Sequence, residues 1–275
     1  MITPGTLLLQ NLRLIIDNRC TVKCYLGSFA DGIQPDWNNM PHGKCTCSKL
    51  KEPEVRRESL RQALEEARAL HADVVVLPEL SLCPEMRHFV CDWLQNEHHP
   101  FCMVVPGSFH EEPDSEGVPV NRTRLLDAQG YEVLTHEKRI PFGTDKVCDE
   151  VIRPGKRLRL LRTPLGLVAL AICRDFLEKS AANIELWEMV APDWVFVPSM
   201  SPIQGVGAHE DQAQFLSNCC GTRSLVPNQC PHGTYEPIYP GDDGNSHGFA
   251  SWPDLWGKFQ LQTIVPTSRL AVIPI

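Results

Sequence analysis

The chain has 275 residues, 43% of them hydrophobic, and a formal net charge of −8. That is enough apolar material for a full core, and a single domain over residues 1–275 is expected. The acidic balance, without a Lys/Arg-rich run, argues against nucleic acid or an anionic membrane surface as partner. No uninterrupted apolar stretch reaches the ~18 residues of a membrane span. Met1 to Cys20 also lacks the basic start, apolar centre and small-residue cleavage site of a secretory leader, so a soluble, cytoplasmic protein is expected.

In chain order, Leu7 to Ile16 and Thr21 to Phe29 read as strands parted by the turn-prone Asp17-Asn18-Arg19. Ala30 to Leu50 has no period and is rich in Gly, Pro, Asn, Trp and Cys, which reads as an irregular, Cys-rich insertion near residues 30–50. Cys20, Cys24, His42, Cys45 and Cys47 fall within a short interval, and tetrahedral zinc is the chemistry to weigh there. Their CxxxC and CxC spacings are not paired CxxC knuckles, so no metal is expected. The twelve cysteines as a set are spread through apolar elements and read as reduced core residues. Trp37, Met40 and Pro41 are costly to leave in water, which places the insertion at a pocket rim or a subunit contact.

Pro53 opens an amphipathic helix in which Leu60, Ala63, Leu64, Ala67 and Leu70 recur at helical spacing. The strand Ala72 to Leu77 follows and stops at Pro78, leaving Glu79 just beyond its C-terminal end, where ligands bind in α/β sheets. A helix from Pro84 to Asn96 and a buried strand from Phe101 to Phe109 come next. Val120 to Asp127 and Tyr131 to His136 alternate like a hairpin around Ala128-Gln129-Gly130, with Lys138 just past the second strand. Thr144 to Arg157 is irregular and carries Asp149 and Glu150 before Pro154-Gly155.

Lys156 to Arg162 and Leu165 to Ile172 read as a second hairpin, and the apolar run ends abruptly in Cys173-Arg174-Asp175. Cys173 therefore falls at a strand-to-helix elbow, where free N–H groups favour a thiolate and can hold an oxyanion. A helix from about Phe176 to Val190, a strand from Asp193 to Pro198 and a helix from about Gly207 to Asn218 complete the alternation. Beyond them, Cys219 to Val226, Gly248 to Trp252 and Leu261 to Ile275 hold strand-like pieces.

Val74-Val-Val-Leu-Pro-Glu79, His136-Glu-Lys-Arg-Ile-Pro141 and Gly166-Leu-Val-Ala-Leu-Ala-Ile-Cys-Arg-Asp175 each follow a predicted strand. In that order they resemble the three signature blocks of the nitrilase, or carbon–nitrogen hydrolase, superfamily. The resemblance covers roughly Thr21 to Gly248 and excludes the insertion. It implies an α/β protein with a four-layer αββα sandwich, assembled as a homodimer or higher homo-oligomer. It also implies Cys173 as nucleophile, Glu79 as general base and Lys138 as the cation beside the tetrahedral intermediate. Glu150 is the match to a second active-site glutamate, with Asp149 competing. Arg174 stands where an aromatic residue is common and marks a substrate- or oxyanion-binding position.

The chemistry stands beside the resemblance. A thiol of ordinary pKa ≈ 8.5 needs a base and a cation nearby before it attacks an amide or nitrile carbon. Glu79, Lys138 and the Arg174 N–H are candidates for those tasks, and no cofactor is required. The expected reaction is hydrolysis of a small-molecule amide through a thioester. Nitrile hydrolysis, acyl transfer and a binding module of a larger assembly are the alternatives.

Overall fold

The computed structural model describes residues 6–29, 35–40, 44–111, 117–143, 149–201, 203–229, 247–265 and 268–275, without the side chains of residues 7, 38–40, 203 and 204. Pro41, His42 and the 144–148 part of the predicted loop lie outside the described residues.

The first half contains α1 (Thr6–Asn18), β1 (Thr21–Leu26), β2 (Pro35–Met40), β3 (Lys44–Leu50), α2 (Pro53–Ala69), β4 (Val74–Val76), α3 (Pro84–Asn96), β5 (Met103–Val105), β6 (Ser108–Glu111), β7 (Val120–Asp127) and β8 (Glu132–Glu137). The second half contains β9 (Asp149–Glu150), β10 (Leu160–Thr163), β11 (Gly166–Leu170), α4 (Arg174–Leu177), α5 (Ala181–Val190), β12 (Trp194–Phe196), α6 (Ile203–Cys220), β13 (Arg223–Pro227), β14 (Gly248–Pro253), β15 (Phe259–Thr263) and β16 (Leu270–Pro274).

One sheet runs β16-β1-β4-β5-β7-β6, with β8 also paired to β7, and the other runs β10-β11-β12-β13-β14-β15. Their centres are parallel: β1, β4 and β5 in the first, and β11, β12 and β13 in the second. Alternation along each strand then sorts side chains into layers. Val74, Val76, Met103 and Val105 meet Val168, Leu170, Trp194 and Phe196 between the sheets. Val75 and Val104 face Leu60, Leu64, Val90 and Leu94 of α2 and α3. Ala169 and Val195 face Trp187, Ala213 and Leu216 of α5 and α6. Helices, sheet, sheet and helices thus make the expected αββα sandwich.

Three predicted elements change. Residues 7–16 are helical, not a strand: Leu8, Leu12 and Ile15 recur at helical spacing and all enter the core between the sheets. A run in which seven of ten residues are apolar fits a buried strand as well as a helix, so its packing decides. The Cys-rich insertion is ordered in its described part, because β2 and β3 pair antiparallel and β3 pairs parallel with β9. Its buried Cys47 and Leu50 join the core under α2, whereas Cys24 belongs to the core between the sheets. The predicted Phe176–Val190 helix is likewise two pieces, α4 and α5, parted at Glu178–Ser180.

Candidate active site

Glu79 and Cys173 follow the C-terminal ends of the central parallel strands β4 and β11, and Lys138 follows β8, which pairs antiparallel with β7. After β4, the Glu79 N–H donates to the Ser199 carbonyl at 3.3 Å, tying the end of one sheet to the other. The next residue, Leu80, adopts φ 52°, a left-handed conformation costly for a branched side chain and held only by its surroundings. Lys138 follows β8 with its N–H on Asn121 O (2.8 Å) and its carbonyl taking the Gly155 N–H (2.8 Å). Gly155 presses so closely on the Glu137 carbonyl that a Cβ has no room there.

Lys138 is wholly buried and its Nζ is shared between Glu79 Oε1 (2.8 Å) and Glu150 Oε2 (2.7 Å). Asn121 Nδ2 donates to both acids, at 2.9 Å to Glu79 and 3.1 Å to Glu150. Glu150 also accepts from the Phe142 N–H (2.9 Å) and from His110 Nε2 (2.9 Å). The Cys47 N–H donates to His110 Nδ1 (2.9 Å); an amide can only donate, so the ring proton sits on Nε2 and faces Glu150. Asp149, the competing acid, is exposed on the same short strand.

The two acids are therefore unequal. Burial pushes Glu79 up to about 8, with the Cys173 sulfur and Glu150 adding to the rise against the pull of Lys138. Burial also opposes ionisation of Glu150, but Lys138 and the His110 hydrogen bond outweigh it and hold that carboxyl at about 2. Lys138 is raised in spite of its burial, by the same two carboxylates. One permanent ion pair, Lys138 with Glu150, thus flanks a carboxyl that exchanges its proton near neutrality.

Cys173 sits at the elbow before α4 with φ 43°, its N–H on Pro198 O (2.9 Å) and its side chain almost buried. Among the described residues the Arg174 N–H has no acceptor, because it heads α4. That leaves a backbone donor next to the sulfur. The Arg174 guanidinium is engaged elsewhere, with Glu178 (3.1 Å) and the carbonyls of Pro141 and Gly143 (both 3.4 Å). The sulfur itself pairs with Ser201 Oγ at 3.3 Å and makes no hydrogen bond to Glu79. Glu79 is already occupied, since the Met200 N–H takes its second oxygen at 3.2 Å.

Sequence reasoning missed the supporting residues. Ser201 leads on to Ser199 (3.0 Å) and the buried His209 (3.4 Å), whose Nδ1 donates to Gly205 O (2.7 Å). Asp175 accepts from the Arg139 and Ile140 N–H groups (2.8 Å each) and from His136 Nε2 (2.7 Å), which locks the segment after Lys138 to the cysteine elbow. Trp37 of the insertion stands edge-on to His110 (6.4 Å) and Phe142 (6.2 Å). Asp175 and His136 carried a local signal, each lying in a motif block, and Trp37 was expected at a pocket rim or a subunit contact. Ser199, Ser201 and His209 become partners through the end of β12 and through α6, which pattern alone does not align.

This architecture is the fold of a solved amidase described as from the nitrilase superfamily. No protein-family model and no curated protein matches the sequence. Among solved structures, a variant of the amidase from Nesterenkonia sp. AN1, showing covalent addition of the acetamide moiety of fluoroacetamide at the active site cysteine, superposes with a TM-score of 0.65 at 14% identity, over 93% of this chain and 90% of that one. A double mutant of the same amidase in complex with acrylamide gives 0.65 at 14% identity, over 94% and 92%. The glutamine-dependent NAD+ synthetase from Acinetobacter baumannii gives 0.63 at 16% identity; 92% of this chain is covered, but it spans only 45% of the synthetase. At such identities the likeness establishes the fold. Among the described residues, no helix is long and apolar enough to cross a membrane.

Proposed function

We propose that the protein is a thiol-dependent hydrolase of a small-molecule amide, with Cys173 as nucleophile. The observation that carries the reading is Lys138, buried between Glu79 and Glu150 beside a cysteine at a left-handed elbow whose following N–H has no acceptor among the described residues. An ion pair buried this deeply adds little to stability over apolar packing, so a chemical role explains it better. The covalent acetamide adduct at the active-site cysteine of the Nesterenkonia amidase supports the same reading.

In this mechanism the substrate displaces the Ser201 contact, and the thiol proton passes to Glu79, whose raised pKa suits it to take that proton. Sulfur attacks the carbonyl carbon, and the oxyanion is held by Lys138 and the Arg174 N–H. Glu79 then protonates the departing amine, leaving a thioester. Water, deprotonated by Glu79, adds to the thioester; collapse returns the thiol and releases the acid. Glu150, kept ionised by Lys138 and His110, fixes the ammonium in place.

The test is incubation with a panel of amides, followed by intact-mass analysis and ammonia release. Acyl adducts on Cys173 with turnover support the reading. No adduct and no ammonia from any amide defeats it.

A further inference from the structure

The insertion at residues 35–50 lies outside the family resemblance, yet it reaches the reactive cluster. Its Trp37 is partly exposed and stands edge-on to Phe142, and the Phe142 ring lies 5.4 Å from Lys138 Nζ. Met200, also partly exposed, holds Glu79 through its N–H. Trp37 and Met200 pack against the same apolar core. So Glu79, Lys138 and Glu150 are buried, and two aromatic rings and a thioether are among the partly exposed neighbours beside them.

The charges at this site are also already matched. Lys138 is shared by two carboxylates, and the Arg174 guanidinium is held by Glu178 and two carbonyls. A charged acyl group entering here would lose its hydration without gaining a free partner. An aryl group would bury its face against Trp37 and Phe142.

We infer that Trp37, carried in by the insertion, and Phe142 form an aromatic wall that selects uncharged amides with an aryl or bulky apolar acyl group. This rests on Cys173 being the reactive thiol, so the test reads selectivity without requiring turnover. Alkylation of Cys173 is followed by intact mass with 2-chloro-2-phenylacetamide, 2-chloroacetamide and iodoacetate, each rate divided by that of a free thiol. Chloride or iodide leaves as the S–C bond forms.

The wild-type protein should favour the phenyl reagent over chloroacetamide by about tenfold or more, the effect of burying one ring, and should react slowest with iodoacetate. Trp37→Ala should bring the first ratio close to that of a free thiol. If that variant does not fold, Phe142→Leu should reduce the ratio in the same direction. An unchanged ratio in a folded variant, or preference for iodoacetate, overturns the inference. Selective labelling without ammonia release from any amide would sink the hydrolase reading and keep this one; turnover with unselective labelling would do the reverse.

Discussion

Replacing Lys138 with Met tests the charge arrangement most directly. The side chain is fully buried, and both of its partners are carboxylates within 2.8 Å. Removing one member of a buried pair typically costs about 3–5 kcal/mol, because the other charge is stranded. Here the stranded groups protonate instead, which makes the cost depend on pH. In the wild type Glu150 is held at about 2, below its ordinary 4.5, so it contributes stability above pH 4.5 that is lost as pH falls toward 2. Without Lys138, burial dominates and Glu150 joins Glu79 above the ordinary range. A raised acid contributes stability at low pH that is lost as pH rises, so Lys138→Met should be most destabilised near pH 8 and recover toward pH 5. Denaturant unfolding at pH 5, 7 and 8.5 checks this. A difference of about 3–5 kcal/mol at neutral pH, shrinking on acidification, is expected. A pH-independent difference, or one under about 1 kcal/mol at pH 8.5, would refute the account. Turnover should fall by about 10²–10³, the usual loss when an oxyanion partner is removed.

Cys173→Ala should lose turnover completely while its unfolding midpoint stays close to that of the wild type, since only a sulfur bonded to Ser201 is removed; residual hydrolysis in that variant would move the nucleophile elsewhere. The kcat/KM profile for an amide should rise as pH climbs toward about 8, where Glu79 ionises and can take the thiol proton, and a profile flat from pH 5.5 to 8.5 would remove Glu79 from that role. Asp175→Asn keeps the shape but trades an acceptor for a donor facing His136 or the 139–140 amides, so kcat should drop at least tenfold with KM little changed. A change in KM alone would assign Asp175 to binding instead.

The reach of the sequence is clearest at the strand ends. Val74-Val-Val and Gly166-Leu-Val-Ala-Leu are β-rich runs that end in a breaker or a charge, and this local chemistry is enough to place Glu79 and Cys173 where a parallel sheet presents its residues. Helix α2, with its opening proline and regular apolar face, was equally legible. The N-terminal helix was not, because Thr6-Leu-Leu-Leu-Gln-Asn-Leu carries too much apolar content for a period to stand out; burial of Leu8 and Leu12 between the sheets selects the helix. The insertion escaped for another reason. Its strand β3 is held by pairing with β9, about a hundred residues away in the chain, and long-range hydrogen bonds leave no local trace.

The same division runs through the site. Residue types and order announced a thiol, a carboxylate and an ammonium, since that trio has an evident chemistry wherever it is assembled. Only the tertiary structure decided which acid is which: Glu79 and Glu150 are the same side chain in sequence, both are buried and both share Lys138, but Glu150 also takes a hydrogen bond from His110 while Glu79 has the Cys173 sulfur beside it. It also decided that the sulfur rests on Ser201 rather than Glu79, and that the Arg174 guanidinium turns to Glu178 while its backbone N–H is left without an acceptor among the described residues. Charge and hydrogen-bonding capacity belong to the residue. The field that shifts a proton belongs to neighbours brought in by folding.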